Sequence, residues 1–158
     1  MTAIRRFNES LPMLLLRARE TAMARFRPVL HAHGVTEQQW RALRALHDLG
    51  ELTAAGLAEE CAILAPSMTR ILRNLSDRGL VIVRRSKSDG RELRVKISAK
   101  GKRLVRVVGP RVEEEYAKIR EQVRPERLEA LYADLRRLIE IGRPTGSGPR
   151  AAPGGKAR

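Results

Sequence analysis

Cysteine is almost absent from this chain: Cys61 stands alone, which excludes an internal disulfide framework and fits a reducing compartment, where an isolated thiol is usually a small buried apolar residue. Aromatic residues are scarce as well, with one Trp, two Tyr and two Phe, so the stacking platform usual for single-stranded nucleic acid is missing. No apolar run approaches the roughly 20 residues that a bilayer-spanning helix needs. The short run in "MTAIRRFNESLPMLLL" is broken by Pro12 and followed by Arg17 and Arg19, unlike a secretory signal. There is no phosphate-cradling glycine loop and no Ser-His or Cys-His arrangement, which argues against an enzyme and against a bound cofactor. His31, His33 and His47 lack a nearby cysteine pair or an ordered carboxylate set, so no metal site is expected. These absences predict a cytoplasmic protein with no membrane association, and 158 residues favour one domain.

What the chain has in excess is positive charge, +14 in all, and it is concentrated. Residues 1–65 hold 8 basic and 7 acidic side chains and residues 107–140 hold 7 and 8, whereas residues 66–106 hold 13 and 3. One cationic segment between balanced flanks is the footprint of a polyanion-binding surface, although a merely solvated basic face has the same composition.

The hydrophobic periodicity gives that segment a context. Ser10 is placed to cap a helix starting near Leu11 and Pro12, with Leu11, Leu14, Leu15, Ala18, Ala22 and Phe26 at helical spacing, and Pro28 is expected to bend or end it. Thr36 and Gln39 form a capping-box pattern for a second helix with Trp40, Leu43 and Leu46 inward and Gly50 as its stop. Thr53 caps a short third helix containing Leu57 and Ala58, and Pro66 stands where a fourth would begin. In "PSMTRILRNLSDRG", Met68, Ile71, Leu72 and Leu75 make one apolar stripe. The opposite side collects Thr69, Arg70, Arg73, Asn74 and Asp77, with Ser67 exposed in the first turn. Slim hydroxyl side chains and forked guanidinium donors on a short helix suit entry into a DNA major groove.

Directly after this helix, "RRSKSDGRELRVKIS" has the alternation of a hairpin, with Leu93, Val95 and Ile97 on one face and an Asp-Gly turn at its tip. The two helices and the basic hairpin make a winged helix-turn-helix. In this reading Pro66, Ser67, Thr69, Arg70, Arg73 and Asn74 face the DNA from the helix. Arg84, Arg85 and Lys87 contact phosphates from the wing, and Arg91 at the tip enters the minor groove, held by Asp89. Beyond Ser98 two further helices are expected. The first, with Gly109-Pro110 as a kink, carries Val105, Val108, Val112, Tyr116, Ile119 and Val123; the second opens at Pro125 and carries Leu128, Leu131, Tyr132, Leu135, Leu138 and Ile139.

Four stretches, "TEQQWRALRAL", "LAPSMTRILRNLSDRGLV", the Asp89-x-Arg91 wing and "ISAKGKRL", in this order, resemble the MarR family of bacterial transcriptional regulators over residues 11–141. "LLLRARETAMARFRPVLHAHGVTEQQWR" with "CAILAPSMTRIL" is similar to the branch that contains repressors of homoprotocatechuate catabolism and nicotinate-pathway regulators. Wings of this family often carry a second arginine directly after the first, where this chain has Glu92.

The resemblance implies a mainly α fold: a winged helix-turn-helix with a two-stranded wing plus a helical dimerisation domain. Its parts are an N-terminal dimerisation helix in residues 1–35, the DNA-binding unit in 36–98, C-terminal dimerisation helices in 99–141 and a flexible basic tail in 142–158. It further implies a homodimeric repressor on an inverted-repeat, palindromic operator in double-stranded DNA, with recognition helices about 34 Å apart. Members of this kind are released by a small aromatic acid, such as a hydroxylated aromatic or hydroxynicotinate-type catabolite. Arg19 is then the candidate partner for the carboxylate, Met13, Phe26 and Trp40 for the ring, and His33 for a hydroxyl or carboxylate. Plain core packing for Trp40 and Phe26, dimer packing for Met13, and an ion pair between Arg19 and Glu20 remain open. Two alternatives stand beside the repressor: a non-specific, nucleoid-style DNA-binding protein, and a redox-sensing regulator acting through Cys61.

Overall fold

The computed structural model describes residues 4–86 and 91–142. Six α-helices and three strands follow a short 3-10 turn at Phe7–Glu9: α1 Leu11–Ala32, α2 Glu37–Leu49, β1 Leu52–Thr53, α3 Ala54–Glu60, α4 Ala65–Asp77, β2 Val81–Arg85, β3 Leu93–Ile97, α5 Ala99–Val123 and α6 Pro125–Ile141. Its contacts divide the chain into two compact units that meet in sequence between Val112 and Glu113.

Local signals account for most boundaries. At α2 the capping box is complete: Thr36 Oγ1 accepts from the Gln39 amide at 3.2 Å, and Gln39 Oε1 accepts from the Thr36 amide at 3.0 Å. Thr53 Oγ1 accepts from the Gly56 amide at 2.9 Å and starts α3. Ser10, by contrast, does not cap α1 through its side chain; its hydroxyl donates backward to the Phe7 carbonyl at 3.0 Å, and Pro12 lowers the number of donors that need capping. Pro28 does not end α1, which continues to Ala32 with that one internal donor missing. α5 likewise runs through Gly109-Pro110 without a break.

The sheet has three strands in the order β1-β3-β2, all antiparallel. The wing hairpin itself is two-stranded, as expected, but Leu52 and Thr53 add a short third strand by pairing with Val95 and Arg94. Two residues are too short a run for alternation to reveal. Of the three expected inward residues of β3, Val95 and Ile97 are buried, whereas Leu93 is 40% exposed because the hairpin extends beyond the core at that end.

Leu30, Val35, Leu43, Leu46, Leu57, Met68, Leu75 and Val95 are almost wholly buried, so the core of the first unit is built by one stripe from each of α1 to α4 and by the sheet. Each large aliphatic so placed contributes about 1.5–3 kcal/mol relative to leaving it in water. Trp40 is only half-buried. Where β2 and β3 close, Ser98 donates from its amide to the Leu80 carbonyl at 3.0 Å and from its hydroxyl to the Gly79 carbonyl at 2.7 Å. The same hydroxyl accepts from the Gly101 amide at 3.0 Å and caps α5. Gly101 lies so close to this closure that a Cβ there would overlap the Leu80 carbonyl oxygen and stand 2.7 Å from Ile97 Cγ1.

Candidate nucleic-acid interface

On α4 the apolar and polar faces separate cleanly. Met68, Ile71, Leu72 and Leu75 are buried, and Pro66, Thr69, Arg70, Arg73 and Asn74 are exposed. Ser67, expected to be exposed, is half-buried because it lies at the flank of the stripe beside Met68. The helix starts one residue before Pro66, at Ala65, with no side-chain cap on Leu64, so its first amides stay available to an acceptor. The Thr69 hydroxyl donates to the Ala65 carbonyl at 3.1 Å, which fixes its rotamer and leaves its lone pairs outward. The side chains of Arg70 and Arg73 form no hydrogen bond or ion pair with any described residue; their guanidinium groups project from a helix whose other face is locked into the core.

Asn74 is held differently. Its Oδ1 accepts from Gln39 Nε2 at 2.8 Å, so the Gln39 amide that completes the α2 cap also ties α2 to α4, and Arg78 approaches the same Gln39 Oε1 at 3.4 Å. The sequence reading treated Gln39 as a cap alone. Its second role depends on the distance between helices 35 residues apart and leaves no local signal.

The wing presents Arg84, Arg85 and Arg91 on exposed positions, while Lys87 and Asp89 lie outside the described residues, as does the expected Asp89–Arg91 contact. Arg84 sits directly across from Arg94 in the β2–β3 register, a like-charge pair that destabilises a hairpin unless it is neutralised. Glu51, just before β1, supplies the countercharge: its carboxylate accepts from Arg94 Nε at 3.0 Å. Arg94 is thereby committed to the fold and Arg84 is left outward.

The candidate effector residues fall on α1 and α2. Arg19 pairs with Glu20 at 2.6 Å and also contacts Glu37, the first residue of α2. Arg27 approaches Glu20 at 2.6 Å and Glu37 at 3.4 Å, and Arg41 meets Glu37 at 2.8 Å while donating to the Cys61 carbonyl at 2.6 Å. Glu37 is thus the centre of three guanidinium groups. The Arg27 hydrogen bond holds the Glu20 carboxyl below its ordinary pKa.

Phe26 is buried in the core, Met13 is half-buried, and His33 lies with Nδ1 2.8 Å from the Val29 carbonyl oxygen. Trp40 has a neighbour that the sequence reading missed: the Arg44 guanidinium stands 5.8 Å over its ring and bonds Asp48 at 3.0 Å, while Arg44 Nε is buried with no partner. A buried N–H donor beside an indole face is an available point for an acceptor. Position four residues after Trp40, on the same helical face, was the signal for it. Burial raises the Asp48 carboxyl, but hydrogen bonds from His47 and Arg44 outweigh that and leave it below its ordinary pKa.

Cys61 is 1% exposed, and burial pushes its thiol above the ordinary value, opposed by the nearby Arg41 charge. A thiol kept protonated and covered is a poor nucleophile, which weighs against a redox switch. Among the described residues no three His, Cys, Asp or Glu side chains gather as a metal-ligand set, and no helix is long and apolar enough to cross a membrane.

A family model described as MarR family matches residues 33–92, from the end of α1 to the wing. The HTH-type transcriptional regulator FarR of Neisseria gonorrhoeae is 37% identical over 127 residues, covering 80% of this chain and 87% of that protein. The homoprotocatechuate degradative operon repressor of Escherichia coli is 36% identical over 135 residues, covering 85% and 91%. Among solved structures, NadR in complex with 4-hydroxyphenylacetate matches with a TM-score of 0.77 and 35% identity over 89% of this chain and 99% of that one. An amphipathic α4 with outward arginines, a basic hairpin beside it and this extent of likeness lead to one conclusion: the chain belongs to the MarR family and is a winged-helix transcriptional repressor.

Proposed function

We propose that two copies of the chain bind an inverted-repeat operator in the cytoplasm, and that a small aromatic acid releases them. The observation that carries the DNA reading is the exposed face of α4, where Arg70 and Arg73 stand without partners among the described residues on a helix whose opposite face is buried. Phosphate contacts from Arg84, Arg85 and Arg91 supply affinity without sequence choice; base-edge contacts from Ser67, Thr69, Arg70 and Arg73 supply the choice, at about 1–3 kcal/mol for a good bidentate pair. Dimerisation has apolar material in both units: Leu11, Leu14 and Leu16 of α1 are 49%, 52% and 50% exposed, and Leu131, Ile139 and Ile141 of α6 are 48%, 61% and 82% exposed. Residues 1–35 and 99–141 are the proposed dimerisation segments.

For the effector, the chemistry of Trp40 and Arg44 supports an aromatic carboxylate, with the indole taking the ring and the buried Nε an acceptor oxygen. Arg19, Met13, Phe26 and His33 are the further proposed contacts; Arg19 would have to leave Glu37 to take part. The solved relative that holds 4-hydroxyphenylacetate supports the same ligand class. The test is competition binding on the promoter region of the chain's own gene. Preference over bulk competitor DNA by about a thousandfold or more is expected of an operator-specific repressor, and 4-hydroxyphenylacetate serves as the first effector probe. Equal affinity for both DNAs would favour the nucleoid-style alternative.

A further inference from the structure

The wing and α4 account for only part of the cationic segment. Residues 99–112 of α5 carry Lys100, Lys102, Arg103, Arg106 and Arg111 with no acid among them. Lys102, Arg103 and Arg106 are exposed, and their side chains make no hydrogen bond or ion pair with a described residue. A helix that needed only solubility would mix charges, as the rest of α5 does with Glu113, Glu114, Glu115 and Lys118. This start of α5 is contiguous with the recognition helix. Exposed Asn74 on α4 bonds Gln39 at 2.8 Å, Gln39 meets Arg78 at 3.4 Å, and the Arg78 carbonyl accepts from Lys100 Nζ at 2.9 Å. Arg78, Lys100 and Arg103 line one groove with Leu80, Leu104 and Val107 and no acid.

From this we infer that Arg78, Lys100 and Arg103 form a second phosphate-binding patch, which engages the DNA backbone flanking the operator beyond the reach of the wing. The inference rests on α4 facing the duplex, as in the function proposed above. It adds affinity and salt dependence but no base preference, because ammonium and guanidinium groups on phosphates are indifferent to sequence.

The test uses the full chain with Lys100→Gln/Arg103→Gln and, as a control for net charge, Lys118→Gln/Arg120→Gln in the charge-balanced part of the sequence. Operator affinity is measured against salt concentration on a duplex that ends at the operator and on one extended at both sides. On the extended duplex the first variant should show a salt slope shallower by about 0.9 for each phosphate contact removed. On the short duplex it should match the wild type, and the control should match on both. Relative affinity for operator over competitor should stay the same. A slope unchanged by Lys100→Gln/Arg103→Gln on the extended duplex, or a loss of the same size on both duplexes, overturns the proposal. An unchanged slope combined with an altered response to 4-hydroxyphenylacetate would mark the groove as a small-anion site instead. Thermal unfolding of both variants guards against a folding artefact, and Lys100→Arg/Arg103→Lys, which keeps the charge, should restore the slope. Failure of the wild type to prefer its promoter would refute the operator reading while leaving the slope comparison intact.

Discussion

Arg41 offers the sharpest probe of how α4, the proposed recognition helix, is aimed. Its NH1 donates to the Cys61 carbonyl at 2.6 Å and its NH2 to Glu37 at 2.8 Å, so one side chain joins the start of α2 to the turn between α3 and α4. That turn is strained: Ala62, directly after Cys61, has φ of 48°, a region that disfavours a residue with a Cβ by about 1–2 kcal/mol. Hydrogen bonds from a charged donor are worth about 1.5–3 kcal/mol, and with the Arg41 side chain 34% exposed a value near the low end applies. Arg41→Gln leaves Glu37 with Arg19 and Arg27, so no bare carboxylate is stranded. The expected loss in urea unfolding is about 1–2 kcal/mol. Because the same turn sets the direction of α4, operator affinity should fall about tenfold, the equivalent of about 1.4 kcal/mol, with non-specific affinity nearly unchanged. Arg41→Lys keeps the charge but not the fork, and should recover little of either loss. An unaltered urea midpoint together with an unaltered ratio of operator to competitor binding would refute this reasoning.

Arg70→Ala should lower operator affinity by about 1–3 kcal/mol per protomer and relax choice at one base position, whereas Arg84→Ala should weaken all duplexes alike and reduce the salt slope; binding titrations on single-base operator variants separate the two. Gly101→Ala drives a methyl group into the Leu80 carbonyl and should cost about 1–3 kcal/mol in denaturant unfolding as overpacking, whereas Gly109→Ala, whose added Cβ meets nothing within 4 Å, should not destabilise. The unfolded Cys61 thiol ionises near 9.0 and the folded one higher, so its contribution to stability is complete below pH 9 and declines as pH rises toward the folded value; Cys61→Ala should flatten that alkaline decline in unfolding measured against pH. Asp48 has the opposite sign: its lowered pKa stabilises the fold above the ordinary 3.8, and Asp48→Asn should remove part of the stability lost on acidification below that point.

What could be read from the sequence was local. The Thr36–Gln39 box, the stripe of Met68, Ile71, Leu72 and Leu75, and the helix stop at Gly50 with its positive φ are each written within a few residues, because caps, helical periodicity and left-handed turns depend on near neighbours alone. Ser10 shows the limit of that rule, since a residue type favoured at a cap still found a nearer acceptor in the Phe7 carbonyl. The hydrogen bonds that cross between elements had no such trace. Glu51 against Arg94 and Gln39 against Asn74 join residues 43 and 35 positions apart, and only the fold decides that they meet.

The same distinction bears on how the site works. The exposure of Arg70 and Arg73 was legible because an outward cation on an amphipathic helix needs nothing from the rest of the chain except a buried opposite face. Arg41 and Arg94 looked equivalent to them in the sequence, yet each spends its donors on the fold: a carbonyl at the α3–α4 turn and the Glu51 carboxylate. In the proposed function, charge count therefore overstates the number of groups free for DNA, and the cations without an internal partner would set the salt dependence. If phosphate affinity came from net charge alone, removing Arg94 and removing Arg84 would reduce the salt slope equally. With Arg94 held by Glu51, Arg94→Gln should instead register mainly as wing destabilisation, with a smaller change in slope than Arg84→Gln.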